Sequence, residues 1–570
     1  MKLKTKRCYV ILAMAVFLST VLFGGAKDVE AAKKPQYKIS GQTITVKAKR
    51  NSDITENLDS ALKAARDKAK DTKIMTVVVP KGTYKINEKG LHIYSNTTLD
   101  LSSGVTLKYS GKKSHPMLMT GINGKYKNRK DYNNSSLCKK YNGFKNITIK
   151  GGTWISKKSN KSNTMRLFHA KNITLDGVTL SGGGGVHLVE AAAINGFYVR
   201  NCTFKDYGTN NKNNSLKLEA LQMDIPCSED VYPSTYEDGT VMKNVEISGC
   251  TFSNVPRGVG THTLLNGAYF TNIKINNNTF KDVWEEAIIG LNYADCEIRD
   301  NTITNCGGGI LFQYFKARPE SIATTIFDGK KKYKGKIRHD ANTVISNNSI
   351  TIKYTKESDE VQGIKLYGFN LTSAVNGRDG KKIPKGDYYL SGVTVEHNQI
   401  TTAGYGIHLM DTKNCTIRNN SIKGQDVSSS DSRKDKYNGI MLEDTSENIA
   451  VSSNIIDGMV SNGILIQESS SVNALENSQI SNCKKAGINF YDKSSASCDI
   501  KDNQISDCGT NGIVLNGHCK VNKAILGNTI RNVDKGICVI DHSTVSGSIT
   551  DNSMTGVRRE LYIDDTSSAF

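Results

Sequence analysis

The protein has 570 residues, a formal net charge of +20, 37% hydrophobic residues and 7% aromatic residues. The hydrophobic fraction is too high for a disordered chain, and the 50 glycines show no three-residue period, which excludes a collagen-like protein. Length alone suggests about three or four domains, but the 53 asparagines and many β-branched residues favour one long repeat domain.

The first 32 residues have the pattern of a signal peptide. A positively charged start is followed by an apolar run over residues 9–23, which is too short to span a bilayer comfortably. Small residues follow, and we expect cleavage near Ala31 and Ala32. An uncleaved membrane anchor is the alternative interpretation. We therefore predict a secreted protein without stable membrane insertion, in which disulfides are permitted although stacked buried thiols are the expectation.

Residues 33–89 are predicted to form an N-terminal cap. The segment Thr55–Lys70 is amphipathic, with Thr55 as its N-cap and with Leu58, Leu62 and Ala65 on one face. Such a helix would cover the open end of a stack of strands and block edge pairing. The segment 76–86, TVVVPKGTYKI, would then enter the first coil.

Residues 90–570 are predicted to form a parallel β-helix. Near the C-terminus, short apolar motifs follow Gly463, Gly487, Gly512 and Gly536, at intervals of 24, 25 and 24 residues. A second motif, such as CDIKDNQI at 498–505, lies between them. Alternating strands separated by Gly and Asn turns cannot stand alone, but they bury a continuous core when coils stack.

Together, the capping helix, VVVPKGTY at 77–84 and FHAKNITLDGVTL at 168–180 resemble the pectin-lyase-like right-handed parallel β-helix superfamily, whose repeats are termed PbH1. The resemblance covers nearly the whole mature chain and implies a right-handed solenoid. That superfamily is largely carbohydrate-active, but the fold does not choose among its activities. The polygalacturonase motifs are absent, and GTH at 260–262 only echoes one of them, so a standard polygalacturonase is not expected.

Long loops are predicted in the middle coils. The small residue that opens each coil recurs at irregular intervals of 22 to 54 residues between Gly185 and Gly439, whereas the distal coils are regular. Insertions in a solenoid become loops that often surround a site. We therefore expect the functional site in the coils within 110–440.

The strand register predicts which side chains meet on the outer surface of these coils. Counting from the small residues aligns the pair His187 and Val189 with the pair Gln222 and Asp224. By the same count His262 joins this face, Glu190 approaches Asp224, and Glu219, Arg257 and Glu286 form a column. The predicted catalytic residues are Asp224, Glu219, Glu190 and His262, and the predicted substrate-binding residues are His187, Gln222, Arg257, Glu286, Asn292, Tyr293, Gln313, Lys365 and Tyr367.

Paired carboxylates on one face favour a glycoside hydrolase, in which one carboxyl protonates the leaving oxygen and the other attacks or activates water. Each residue also has a structural interpretation. Asp224 precedes Ile225-Pro226 and could be a turn residue, the histidines could be ordinary surface groups, and the Glu219, Arg257 and Glu286 column could be a structural ladder.

Two other functions remain open. A uronate lyase would need a cation to neutralise the substrate carboxylate and a base, roles that His262, His187, Arg257, Lys365 and Tyr367 could fill. No metal site or cofactor is expected, except that a lyase could use Ca²⁺ held by Glu219, Asp224 and Glu190. The third alternative is a non-catalytic glycan-binding or cell-surface protein.

Basic stretches indicate what the partner is. Residues 108–150 carry a net charge of +10 and residues 316–340 a net charge of +5, with tyrosines between the cations of the first stretch. Cations with aromatic rings suit sugar faces and anionic polymers. A solubilising loop face, or binding to an anionic cell envelope, is the alternative interpretation. We expect a monomer that binds a poly- or oligosaccharide, with an anionic glycan as one candidate, and no nucleic acid.

Overall fold

The computed structural model describes residues 36–121, 138–208, 218–227, 235–265, 267–315, 336–353, 361–376, 382–429 and 431–569, together with the backbone of three short strands within 322–333. The predicted signal peptide and its cleavage site near Ala31 and Ala32 lie outside these residues, as do parts of both basic stretches. Among the described residues, no helix is long and apolar enough to cross a membrane.

The N-terminal cap consists of an antiparallel strand pair, Tyr37–Ser40 with Thr43–Val46, and the helix Thr55–Lys68. The helix buries Leu58, Leu62 and Ala65, as the amphipathic pattern predicts. Thr55 is the first helical residue rather than the N-cap, and its backbone N–H donates to Asp53 Oδ1 at 2.8 Å. The side-chain acceptor that starts the helix therefore stands two residues earlier than expected, because Asp53 reaches the exposed N–H groups of the first turn.

The coils stack as parallel strands on three faces, which confirms the all-β parallel β-helix. The first face contains Leu91–Ile93, Leu118–Thr120, Met165–Asp176, Val189–Arg200, Glu219–Asp224, Arg257–Gly260, Glu286–Leu291, Gly308–Gln313, Gln362–Tyr367, Tyr405–Met410, Ile440–Glu443, Ile464–Ile466, Ile488–Tyr491, Asn511–Asn516, Lys535–Ile540 and Arg559–Ile563.

The second face shares the two longest strands with the first. Its other strands are Met75–Val78, Thr97–Asp100, Phe144–Lys150, Lys243–Ser248, Phe270–Asn276, Tyr293–Arg299, Asp340–Ser346, Leu390–Glu396, Thr412–Lys413, Thr416–Arg418, Ile449–Ser452, Ser471–Glu476, Ser495–Ala496, Ile500–Lys501, Lys520–Val521, Ile525–Leu526, Thr544–Val545, Ile549–Thr550 and Ser568–Ala569.

The third face is a separate sheet of 16 strands. They are Gly82–Ile86, Val105–Tyr109, Thr153–Ile155, Thr179–Ser181, Thr203–Lys205, Thr251–Ser253, Thr279–Lys281, Thr302–Cys306, Ser349–Ile352, Gln399–Thr402, Ser421–Gly424, Ile455–Asp457, Gln479–Ser481, Gln504–Ser506, Thr529–Arg531 and Ser553–Thr555.

Two kinds of ladder run through the stack. Phe204, Phe252 and Phe280 stack inside it with ring centroids 4.6 and 4.8 Å apart. At a turn, Asn420 Nδ2 donates to Asn454 Oδ1 at 3.0 Å, and equivalent bonds join buried asparagines of neighbouring coils. The high asparagine content therefore satisfies buried turn groups. The twelve cysteines that the structure describes are free thiols.

Long loops do leave the middle coils. Two small strand pairs, Asn370–Leu371 with Gly386–Asp387 and Val375–Asn376 with Lys382–Ile383, lie outside the solenoid. Two further pairs are Leu264–Leu265 with Ile322–Ala323 and Ile326–Asp328 with Lys331–Tyr333. A separate apolar cluster forms beside the first face from Leu264, Leu291, Phe315, Leu371, Ile383 and Tyr388.

Candidate functional site

A row of outward side chains crosses the first face at the irregular coils. The register pairs Arg166 with Glu190, Glu190 with Gln222, and Gln222 with Gly260. Ala192 pairs with Asp224, so Glu190 and Asp224 are diagonal neighbours on adjacent strands. The predicted approach of Glu190 to Asp224 therefore has a backbone basis.

The register expected for His187 is wrong. It aligned His187 with Gln222, but Glu190 occupies that position, and His187 stands before its strand. The small residue taken as the start of this coil, Gly185, lies in an extra stretch of glycines that shifts the count. His187 nevertheless reaches the cluster from that position, because its Nδ1 lies 2.6 Å from the backbone carbonyl oxygen of Glu219.

Glu219 is the buried centre of the cluster, with no exposed surface. Its Oε2 lies 2.8 Å from His262 Nδ1, and its Oε1 lies 3.4 Å from Arg257 Nη1. Burial by itself raises the pKa of Glu219, but its hydrogen bond to His262 and the positive charge of Arg257 outweigh burial and hold that pKa well below its usual range. Glu219 is therefore an ionised carboxylate.

Gly260 leaves the space that Glu219 uses. A Cβ at Gly260 would lie 3.3 Å from Glu219 Cγ and 2.9 Å from Ile289 Cβ. Because the strand has no side chain here, the Glu219 side chain lies across it and reaches His262.

Glu190 has the opposite electrostatic environment. It is 4% exposed, Arg166 Nε lies 3.0 Å from its Oε2, and Asn163 Nδ2 donates to the same oxygen. Burial raises the pKa of Glu190 to about 7, with Arg166 opposing the rise and the negative charge of Asp224 adding to it. Two carboxyls of one cluster thus have pKa values shifted in opposite directions, which is how proteins separate an acid from a base.

Asp224 is 1% exposed. Its Oδ1 accepts the backbone N–H of Ile225 at 2.7 Å, and its Oδ2 accepts from Gln222 Nε2 at 3.2 Å. Burial raises the pKa of Asp224, although His262 and these hydrogen bonds oppose the rise. The bond to Ile225 fits the turn interpretation, and the position beside Glu190 fits the catalytic one.

Arg257 forms the predicted column with Glu219 and Glu286, and Glu285 joins it. Arg257 Nε lies 2.7 Å from Glu285 Oε2 and 3.1 Å from Glu286 Oε2. Burial lowers the pKa of Arg257, but the three carboxylates raise it further, so the guanidinium stays charged. Because these carboxylates surround it, Arg257 positions Glu219.

His262 is the solvent-facing member, with 34% of its side chain exposed. Its ring stacks on that of His187 at a centroid distance of 5.4 Å. Burial, followed by the electrostatic interaction with the neighbouring His262 ring, lowers the pKa of His187 to about 4, so His187 is neutral near neutral pH. His187, Glu219 and His262 each offer one ligand atom within 4.8 Å of the others, so this trio could hold a metal ion, whereas the sequence predicted no metal site.

The remaining predicted substrate contacts are not part of the solvent-facing cluster. Tyr293 is fully buried, with its hydroxyl 3.0 Å from Thr261 Oγ1, and Asn292 Nδ2 donates to the Ala268 carbonyl at 3.1 Å. This burial does not fit substrate contact, since the side chains of Tyr293 and Asn292 make hydrogen bonds within the protein interior. Further along the first face, Gln313 pairs with Tyr367, and Lys365 Nζ lies 5.2 Å from the Tyr367 ring centroid.

Sequence reasoning missed Asn163, Arg166 and Glu285. Arg166 precedes the FHAKNITL motif by two residues, so its place in the outward row follows once the register of this strand is known. The second glutamate of the Glu285-Glu286 pair was predicted and the first was not, because simple alternation places only one of them outward.

The chain matches the family model described as "Right handed beta helix region" over residues 237–424, 342–499 and 385–554, more than half of its length. No curated protein matches it. A solved structure of PfbA, a surface adhesin of Streptococcus pneumoniae, is 16% identical, with 88% of this chain and 91% of that chain covered and a TM-score of 0.38.

Two further solved structures are similar to the chain. The Azotobacter vinelandii mannuronan C-5 epimerase AlgE6 A-module is 12% identical, with 90% and 96% of the two chains covered and a TM-score of 0.40. The tailspike protein of E. coli bacteriophage HK620 in complex with pentasaccharide is 12% identical, with 91% and 76% covered and a TM-score of 0.42.

Proposed function

The chain belongs to the right-handed β-helix family, and on that premise we propose that it is a secreted enzyme that hydrolyses glycosidic bonds of a poly- or oligosaccharide. The observation that carries this proposal is the pair of glutamates with oppositely shifted pKa values, Glu190 to about 7 and Glu219 below its usual range, around the solvent-facing His262. Acid–base cleavage of a glycosidic bond needs such a pair of opposite protonation states.

Under this proposal each group has a role. Glu190 holds a proton near neutral pH and donates it to the leaving glycosidic oxygen. His262, whose Nδ1 is held by ionised Glu219 at 2.8 Å, removes a proton from the attacking water. Asp224, the diagonal neighbour of Glu190, helps to keep the Glu190 pKa high. Because Glu190 and Asp224 are nearly buried, substrate approaches at His262.

A uronate lyase is the second candidate, and the exposure of His262 favours it, since a lyase needs an accessible base. The lyase scheme also needs a cation that neutralises the carboxylate of the uronate, and the cluster supplies this poorly. Arg257 is surrounded by Glu219, Glu285 and Glu286, so its charge is already compensated. Both reactions can use the Glu190 carboxyl to protonate the leaving oxygen, but hydrolysis does not need an uncompensated cation beside a uronate carboxylate.

A panel of neutral and anionic glycans tests the proposal. Hydrolysis releases reducing ends without an unsaturated product, whereas elimination adds the ultraviolet absorbance of an unsaturated uronate. We expect reducing-end release that Glu190→Gln and His262→Ala each lower by about 10²- to 10⁴-fold, the range of a general acid or base.

The matched control is His408→Ala. His408 forms a similar pair with Glu443, at 2.7 Å between Nε2 and Oε1, but it is 1% exposed and lies on a later coil. This variant should keep full activity. Unsaturated product would favour the lyase, and glycan binding without turnover anywhere in the panel would favour a non-catalytic binding protein.

A further inference from the structure

A second group of metal-ligand side chains lies on the distal coils, apart from the candidate functional site. His518 follows the strand Asn511–Asn516, and Asp541 and His542 follow the strand Lys535–Ile540 on the next coil. All three residues are exposed. The proposed glycan chemistry uses none of them.

The backbone fixes these residues before any ligand binds. His518, Asp541 and His542 have φ angles of 60°, 53° and 59°, which set a tight left-handed turn in each coil. The His518 N–H donates to the Asp541 carbonyl at 2.8 Å, and the His542 N–H donates to Thr566 Oγ1 at 3.0 Å. The two imidazoles therefore stand on consecutive, hydrogen-bonded turns.

The side chains converge. The rings of His518 and His542 stack with centroids 4.8 Å apart at an interplanar angle of 16°, and His542 Nδ1 lies 3.2 Å from Asp541 Oδ1. One ligand atom from each of the three residues lies within 4.8 Å of the others. Ligand atoms of a tetrahedral zinc ion are about 3.3 Å apart, given bonds of about 2.0–2.1 Å. The side chains of Asp541 and His542 are each 56% exposed, so their rotation can bring the ligand atoms to the separation that zinc requires.

The fold does not require histidine here. On the two preceding coils, the turn position equivalent to His518 and His542 is occupied by Ser469 and Lys493. Both residues have the same left-handed backbone. A serine and a lysine fill it equally well, so the two histidines are not explained by the turn. A further carboxylate lies beside the site, because Asp564 Oδ2 accepts the Asp541 N–H at 2.8 Å.

We propose that His518, Asp541 and His542 form a site for a divalent transition-metal ion of the zinc class. A set of two imidazoles and one carboxylate binds zinc, nickel and copper ions in preference to magnesium and calcium ions. Water would complete the coordination. The ion would join two consecutive coils and so stabilise the distal end of the solenoid, since a ligand that binds only the folded state opposes unfolding.

Isothermal titration of the full chain with zinc chloride tests the site, with thermal unfolding as a second measurement. We expect a binding event whose dissociation constant rises at least tenfold in His518→Ala and in His542→Ala, and a zinc-dependent rise in Tm that both variants lose. His397→Ala is the matched control, because His397 is exposed at a left-handed turn with φ of 55°, and it should bind zinc like the wild type.

His262→Ala separates this site from the His187, Glu219 and His262 trio, and it should leave this binding event in place. Absence of zinc binding to the wild-type chain, or binding that persists unchanged in both His518→Ala and His542→Ala, would overturn the proposal.

Discussion

Replacing Glu190 by glutamine should change how stability depends on pH. Burial raises the Glu190 pKa from 4.5 to about 7, despite the opposing charge of Arg166. The folded state therefore binds this proton more tightly than the unfolded state does. That contribution to stability is fully present below about pH 4.5 and is lost as pH rises through about 7.

The magnitude follows from the shift. A pKa that rises from 4.5 to about 7 corresponds to about 3 kcal/mol between the two protonation states. Glutamine does not titrate, so its contribution is constant. The free energy of unfolding of the wild type minus that of Glu190→Gln should therefore fall by about 3 kcal/mol as pH rises from about 4 to about 8.

Urea unfolding followed by circular dichroism at pH values across this range measures the difference. Glu297→Gln, which removes a 42% exposed carboxylate on the second face, is the control, and its difference from the wild type should be nearly flat. In the same range, turnover of the wild type should decline as pH rises through about 7, because the donor loses its proton. A flat difference for Glu190→Gln would refute both the raised pKa and the assignment of Glu190 as the proton donor.

Two further substitutions test the packing of the site and of the stack. Gly260→Ala places a Cβ 2.9 Å from both Cβ and the backbone oxygen of Ile289 and 3.3 Å from Glu219 Cγ, so the neighbouring strand and Glu219 both have to shift. Turnover should fall at least tenfold, and unchanged turnover of a folded variant would contradict that geometry. Asn420→Ala removes a buried amide that donates to Asn454 Oδ1 at 3.0 Å, and it should lower the free energy of unfolding by about 3 kcal/mol because buried partners lose their bonds. Asn473→Ala, at an exposed strand position, should change that free energy by less than about 0.5 kcal/mol, and equal losses in the two variants would refute the ladder's role.

The sequence predicts the fold well because its information is periodic. The distal glycines from Gly463 to Gly536 recur at 24 or 25 residues, and each repeat carries its own inward residues and its own turn. The amphipathic segment beginning at Thr55 is likewise read directly from residue spacing. Neither the coil repeat nor the capping helix has to be inferred from contacts between distant parts of one coil.

The site is harder to predict because it lies where the period fails. The glycines near Gly185 shift the count, so His187 was aligned with Gln222 in place of Glu190. The partners of Glu190 in the structure, Arg166 and Asn163, come from the preceding coil, across an interval that a count of small residues does not fix. The sequence pattern also did not predict burial, since alternation places Gln222 outward but its side chain has no exposed surface.

The outward row of the first face shows why the charged coils call for a function. Arg166, Glu190 and Gln222 occupy this row in the irregular coils, whereas the regular distal coils place Leu465, Asn489, Val514 and Cys538 there. The stack therefore forms without charge at this position. Burying ionisable groups costs several kcal/mol per ion unless each is paired, and replacement by apolar residues is often stabilising. This row keeps the Glu190 carboxyl, with a pKa near 7, at a position where uncharged residues are sufficient in other coils. Chemistry at that face explains this better than stability does.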